Sequence, residues 1–145
     1  MGTYAQGAQQ SGSTPVASRD AGFATFVKVI PVQAAGAATL DITTHLPDGA
    51  QVVDVLFDTV TAHTSASATI AIGFTAGGTD LTAATDVKTT PRTRPTFTSA
   101  QLTACAALAR DTGQTDKAIN LRLALGTATS AGLTNVSILY TLKTN

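Results

Sequence analysis

Tryptophan is absent from this 145-residue chain, cysteine and methionine occur once each, and only 12% of the residues are charged. Each shortage excludes something. A lone cysteine, Cys105, cannot close an intrachain disulfide, which removes the stapled secreted miniproteins. Nine Lys and Arg balance nine Asp and Glu, so no counterion-release drive toward nucleic acid and no attraction to anionic lipid is expected. No apolar run approaches the roughly 20 residues that span a bilayer. The opening run MGTYAQGAQQSGSTP lacks a basic-then-apolar pattern, so no secretory signal is expected, and Gln6 stands where a myristoylation motif requires Ser or Thr. Large apolar side chains are scarce as well: Leu, Ile, Val and Phe total 33, against 27 Thr and 26 Ala. The length suits one domain, with a thin core completed by Ala and Thr methyl groups.

What is there is β-prone. Residues 1–20 carry few large apolar side chains, Tyr4 and Val16 being the exceptions, and cannot offset their own ordering entropy. They read either as a frayed terminus or as an extended arm that orders against a neighbouring subunit through Tyr4. Residues 21–145 then form the domain. Phe23–Val32 is rich in β-branched and aromatic residues, with Pro31 as an edge signal. Ala38–Thr43 alternates, with Ala38, Leu40 and Ile42 on one face. Leu46-Pro47-Asp48-Gly49 predicts a tight turn. In Gln51–Thr61, alternation places Val53, Val55 and Phe57 on one face and Val52, Asp54, Leu56 and Asp58 on a mixed one, half covered by another strand, loop or subunit. Ala68–Thr75 gathers Ala68, Ile70, Ile72 and Phe74, and Gly77-Gly78-Thr79-Asp80 turns the chain.

A short strand is expected near Val87. Phe97–Arg110 is ambiguous. Ser99 is a plausible N-cap, but Leu102 and Leu108 fall about 120° apart on a helix, and alternation of Leu102, Ala104, Ala106 and Leu108 favours a strand over a single helical turn. Ala118–Leu125 and Leu133–Leu142 alternate most clearly. Seven or eight strands without an amphipathic helix predict an antiparallel β-sandwich or jelly roll.

The search for chemistry returns little. Asp54 and Asp58 are four residues apart on a strand, about 13 Å, beyond the ~5–9.5 Å of glycosidase carboxylate pairs, and read as a solvated face. Asp41 could approach either across strands, but nothing requires it. His45 reads as a turn cap and His63 as a polar-loop residue, and with Cys105 they lack metal-ligand spacing. Cys105 lies in an Ala-rich run and reads as a small core residue. No nucleophile elbow and no phosphate loop occur, and the glycosylation triplet at Asn135 falls inside a strand. The expectation is no enzyme, no cofactor and no metal. Pro91-Arg92-Thr93-Arg94-Pro95 is the only basic cluster. Held by prolines, Arg92 and Arg94 either offer two guanidinium forks to a partner carboxylate or form an ordinary exposed loop.

The run ITTHLPDGAQVVDVLFDTVTAHTSASATIAIGFTAGGTD, with the closing GTATSAGLTNVSILYTLK, resembles small virion proteins of tailed bacteriophages, over residues 23–145. In those proteins a Leu-Pro and valine-rich strand precedes a Thr/Ser/Ala loop and a strand ending in Ile-Gly, and the chain closes with a final hairpin. The resemblance implies a β-sandwich or jelly roll that decorates and stabilises a capsid, binding the major capsid protein as a homo-oligomer, often a trimer. It implies a place on the capsid surface of the virion after assembly in the host cytoplasm, and no catalytic residue. Tyr4, Val16, Arg92 and Arg94 are the candidate partner-binding residues. The alternatives are a fibre, spike or tail-tip domain contacting the host surface and, behind it, a carbohydrate-binding module, which exposed Trp or Tyr would favour. A jelly-roll enzyme comes last.

Overall fold

The computed structural model describes residues 24–89, 91–107 and 117–142. The arm of residues 1–20, with Tyr4 and Val16, lies outside the described residues. Within them the strands are β1 (Thr25–Gln33), β2 (Ala37–Leu46), β3 (Ala50–Thr61), β4 (Ala68–Gly73), β5 (Thr82–Asp86), β6 (Arg92–Thr93), β7 (Lys117–Thr129) and β8 (Leu133–Leu142), with one helix, α1 (Ser99–Ala107).

The strands form two four-stranded sheets, ordered β1-β8-β3-β6 and β2-β7-β4-β5, and every pairing is antiparallel. Strand 1 pairs with 8, 2 with 7, 3 with 6 and 4 with 5. This is one long antiparallel ribbon rolled over itself, the order of a jelly roll, and the expected all-β sandwich of about eight strands is what forms. Only β4 and β5 make a hairpin between consecutive strands. The expected hairpin at the end of the chain does not form: β7 and β8 lie in different sheets, and their connection crosses between layers.

Between the sheets, Val32, Val55, Phe57, Ile70, Ile72, Ile119, Leu121, Leu123, Val136 and Ile138 are buried, one residue in two along each strand. Ala34, Ala50, Ala68, Thr82 and Thr134 complete the layer, so small side chains fill space that a leucine-rich domain would fill with branches. Cys105 packs against this core as a small apolar residue, and burial pushes its thiol up to about 11. At one end Phe26 stacks on Tyr140, its register partner, with ring centroids 5.7 Å apart.

Several sequence expectations are corrected. Phe97–Arg110 supplies α1 instead of a strand, and its N-cap is Thr98, not Ser99. The Gln101 N–H donates to Thr98 Oγ1 (3.2 Å) and the Thr98 N–H donates to Gln101 Oε1 (2.9 Å), a reciprocal capping box. The buried residues of α1 are Gln101 and Cys105, one turn apart, while Leu102 is exposed. The strand expected near Val87 is β5, ending just before it. The turn after β2 closes one residue later than expected, with the Ala50 N–H donating to Pro47 O (3.0 Å) and Gly49 at φ +78°. His45 caps no turn; it stands exposed on β2 opposite Ala118. Phe74 lies past the end of β4 and is exposed, parted from Ile70 and Ile72.

The largest correction concerns β3. Its register against β8 skips Val53 and Val60, each a β-bulge. The first bulge shifts the parity of the strand, so Val52 joins Val55 and Phe57 inside and Val53 is thrown outward with Asp54 and Leu56.

Candidate interaction surface

The two outer faces of the sandwich have different chemistry. On the β2-β7-β4-β5 sheet, β2 presents Asp41, Thr43 and His45 and β7 presents Asn120 and Arg122. Arg122 grips Asp41 with both arms, Nε to Oδ1 and Nη2 to Oδ2 each at 2.7 Å, and the Thr43 hydroxyl donates to Asn120 Oδ1 at 3.1 Å. Those two guanidinium hydrogen bonds hold the Asp41 carboxyl below its ordinary value and raise Arg122. On this face Asp41, Arg122, Thr43 and Asn120 thus satisfy one another.

The β1-β8-β3-β6 sheet carries exposed valines on its outer face, among polar residues. Register sets Val27 of β1 beside Leu139 of β8, and Val29 beside Ser137, with Leu56 of β3 on the far side of Ser137. Val27 and Val29 are each 56% exposed, and the two bulged residues Val53 and Val60 are 55% and 60% exposed. Bulges re-aim side chains at sheet surfaces: here the first turns Val53 outward, and Val60 stands exposed at the second. The face ends in charge along β3 and β6. Arg94 pairs with Asp54 (Nη2–Oδ2 2.9 Å; Nε to Oδ1 3.0 Å), and Arg92 Nη2 donates to Asp58 Oδ2 at 3.2 Å.

Among the described residues the long outer strand of this sheet is β1, and it is guarded. Pro31 removes a donor, and Lys28 shares the inward parity of Ile30 and Val32, a charge aimed where an added strand would need a dry flank.

Of the residues singled out from sequence, Arg92 and Arg94 lie together at the rim of this face. Their guanidinium groups meet Asp58 and Asp54 of the same chain, while both side chains keep 68% of their surface in solvent. The two carboxylates read as a solvated face are thus the anchors of the two arginines. Asp41 stands on the other sheet, away from both. His63 is buried, not solvated, and bonds to Thr134. Among the described residues no cluster of three or more His, Cys, Asp or Glu could hold a metal ion.

Sequence reasoning missed the valine face because bulges are invisible to a period-two reading. It also missed the capping box, although the Thr98-x-x-Gln101 spacing was available. A small open hollow lined by Phe74, Thr79, Asp80, Thr98, Gln101 and Ala104 lies between the β4–β5 loop and α1. Its carboxylate is occupied, Asp80 Oδ2 accepting from the Phe74 N–H at 3.0 Å, and Gln101 Nε2 donates to Thr79 O at 2.9 Å. Comparison with family models, characterised proteins and solved structures finds no match to this chain.

Proposed function

We propose that the chain is a structural virion protein of a tailed bacteriophage that covers and stabilises the capsid, binding the major capsid protein shell as a homo-oligomer. The observation that supports this reading best is the contrast between the faces: one sheet is polar, with Asp41 paired to Arg122 and Thr43 to Asn120, and the other presents four exposed valines, two from regular strand and two at bulges. Contiguous exposed apolar surface of this kind marks protein contact. The jelly roll is shared by many unrelated functions, so it contributes a prior and no more. A cover of this type gains affinity from area repeated over symmetry-related copies, not from converging ionisable groups.

The test is to count copies per particle by mass spectrometry and to add the purified protein to shells that lack it. Hundreds of copies, with saturable binding and raised thermal resistance of the shell, support decoration. A handful of copies identifies a fibre, spike or tail-tip role instead, and absence from particles overturns the virion assignment.

A further inference from the structure

One pole of the sandwich is held by a hydrogen-bonded chain whose direction can be worked out. The Thr59 hydroxyl has one hydrogen, and it donates it to the Val87 carbonyl at 2.7 Å. At its 3.1 Å contact with Thr134, Thr59 must therefore accept, so Thr134 donates. With that hydrogen committed, Thr134 Oγ1 accepts from His63 Nε2 at 3.0 Å. His63 is thereby fixed as the Nε2–H tautomer, with a lone pair on Nδ1. That Nδ1 is buried, and among the described residues no group satisfies it. Gly132 closes over it so tightly that a Cβ there would collide with the ring, at a φ of +133° that few side chains adopt.

The joint matters because four connections meet there. The His63 N–H donates to Lys88 O (3.2 Å), the Ala34 N–H to Gly132 O (3.0 Å), the Gly36 N–H to Thr129 O (2.9 Å) and the Gly126 N–H to Ser67 O (3.0 Å). Thr64 and Thr129 hydroxyls meet at 2.7 Å, and Ser65 accepts from the Thr127 N–H at 2.9 Å. The β3–β4 loop, the β7–β8 turn, the β1–β2 link and the segment after β5 are thus joined.

We propose that His63 is an acid-released latch: neutral, it holds the β3–β4 loop on the β7–β8 turn, and protonation opens that joint. A second ring proton would point at Gly132 with no acceptor among the described residues, in a site that desolvates the charge. The titratable groups around it offer no relief. Lys88 sends its ammonium to Ala66 O (3.0 Å), Asp86 accepts from the Lys88 N–H (2.8 Å), and Asp58 of β3 is paired with Arg92 on the outer face. From β8 the Thr134 hydroxyl meets the ring, and from β7 the Thr129 and Thr127 hydroxyls meet Thr64 and Ser65 of the same loop. Burial lowers the His63 pKa in line with this geometry.

The sign follows from linkage. With the folded value below the unfolded one of about 6.5, the unfolded chain binds the extra proton. Stability is complete above that value and falls as acid is added, the unfolding constant rising by up to about tenfold per pH unit until the folded-state pKa is reached. Urea unfolding of the full chain between pH 7.5 and 5 reads this. The wild type and His45→Gln should show the rise, and His63→Gln should lack it. Nitrogen-15 NMR of the native chain decides the matter if His63→Gln does not fold. An Nε2–H tautomer that titrates below free histidine supports the latch. An Nδ1–H tautomer, titration at or above the free value, or a rise that persists in His63→Gln overturns it.

Discussion

Val29 is the most direct probe of the apolar face. It is 56% exposed on β1, rotated away from the core, with Ser137 beside it. Fully burying a valine is favourable by about 1.5–3 kcal/mol, so covering the remaining half is worth roughly 1 kcal/mol per copy. Val29→Thr keeps the branched shape and the strand preference while exchanging a methyl for a hydroxyl. In the isolated domain that hydroxyl faces water, and the folding free energy should move by less than about 0.5 kcal/mol. Under a partner it must be desolvated, at about 1–3 kcal/mol. The contact should then weaken by about 2 kcal/mol, roughly thirtyfold, where 1.4 kcal/mol is tenfold. Val29→Asp should weaken it further, since a carboxylate would be taken out of water. Shell-binding isotherms and sedimentation velocity read the contact, and urea unfolding provides the control. If both variants fold, assemble and bind shells as the wild type does, nothing covers this face and the proposed docking surface is wrong.

Other outcomes follow from specific contacts. Gln101→Ala removes the acceptor of the Thr98 N–H and the donor to Thr79 O from a buried site, and urea unfolding should show a loss of about 2 kcal/mol. Asp41→Asn removes the anion held by Arg122. Because the folded Asp41 pKa is lowered, the wild type's advantage over this variant should be complete above the unfolded carboxyl value of about 3.9 and vanish as pH falls through the folded one, read from urea midpoints at stepped pH. Phe74→Ser, compared with Val29→Asp by sedimentation velocity, reports how copies meet. A ring that seats the valine face near Phe74 should fail in both variants, and a face-to-face pair should fail only in the second.

The layers were legible where alternation runs unbroken. Ile119, Leu121, Leu123 and Leu125 point inward as period two requires, and so do Val136 and Ile138. Alternation says nothing about which strand pairs with which, so the crossing of β7 to β8 between sheets was hidden behind what looked like a hairpin. In β3 one inserted residue reverses every assignment on one side of it, which moved Val52 and Val53 to the opposite faces from those expected. The helix was misread for another reason. Its single docking stripe is made by Gln101 and Cys105, residues that do not count as strong apolar markers, while the conspicuous Leu102 faces solvent. Of the candidate site, the Arg92 and Arg94 cluster was visible as a basic pair between prolines. Its carboxylate partners were not, because they depend on the pairing of β3 with β6.

The shape of the proposed contact follows from what this chain can and cannot offer a copy of itself. A closed ring uses a heterologous contact, in which one patch meets a different patch on the next subunit. The outer β2-β7-β4-β5 face, with Asp41 bonded to Arg122 and Thr43 to Asn120, is a poor counterpart for four valines: covering it would desolvate a pair whose side chains are each 35% open to water. The apolar counterparts left among the described residues are Phe74 and Leu102 beside α1, Phe26 at the end of the stack, and the valine face itself. A trimer on a capsid is therefore consistent with the valines only in two arrangements. Either they seat against an exposed apolar side chain of the next subunit, Phe74, Leu102 or Phe26, or they face the shell while other surfaces close the ring. In the second arrangement Val29→Asp leaves the oligomer intact and abolishes attachment, a separation that neither a face-to-face dimer nor a ring of the first kind can produce.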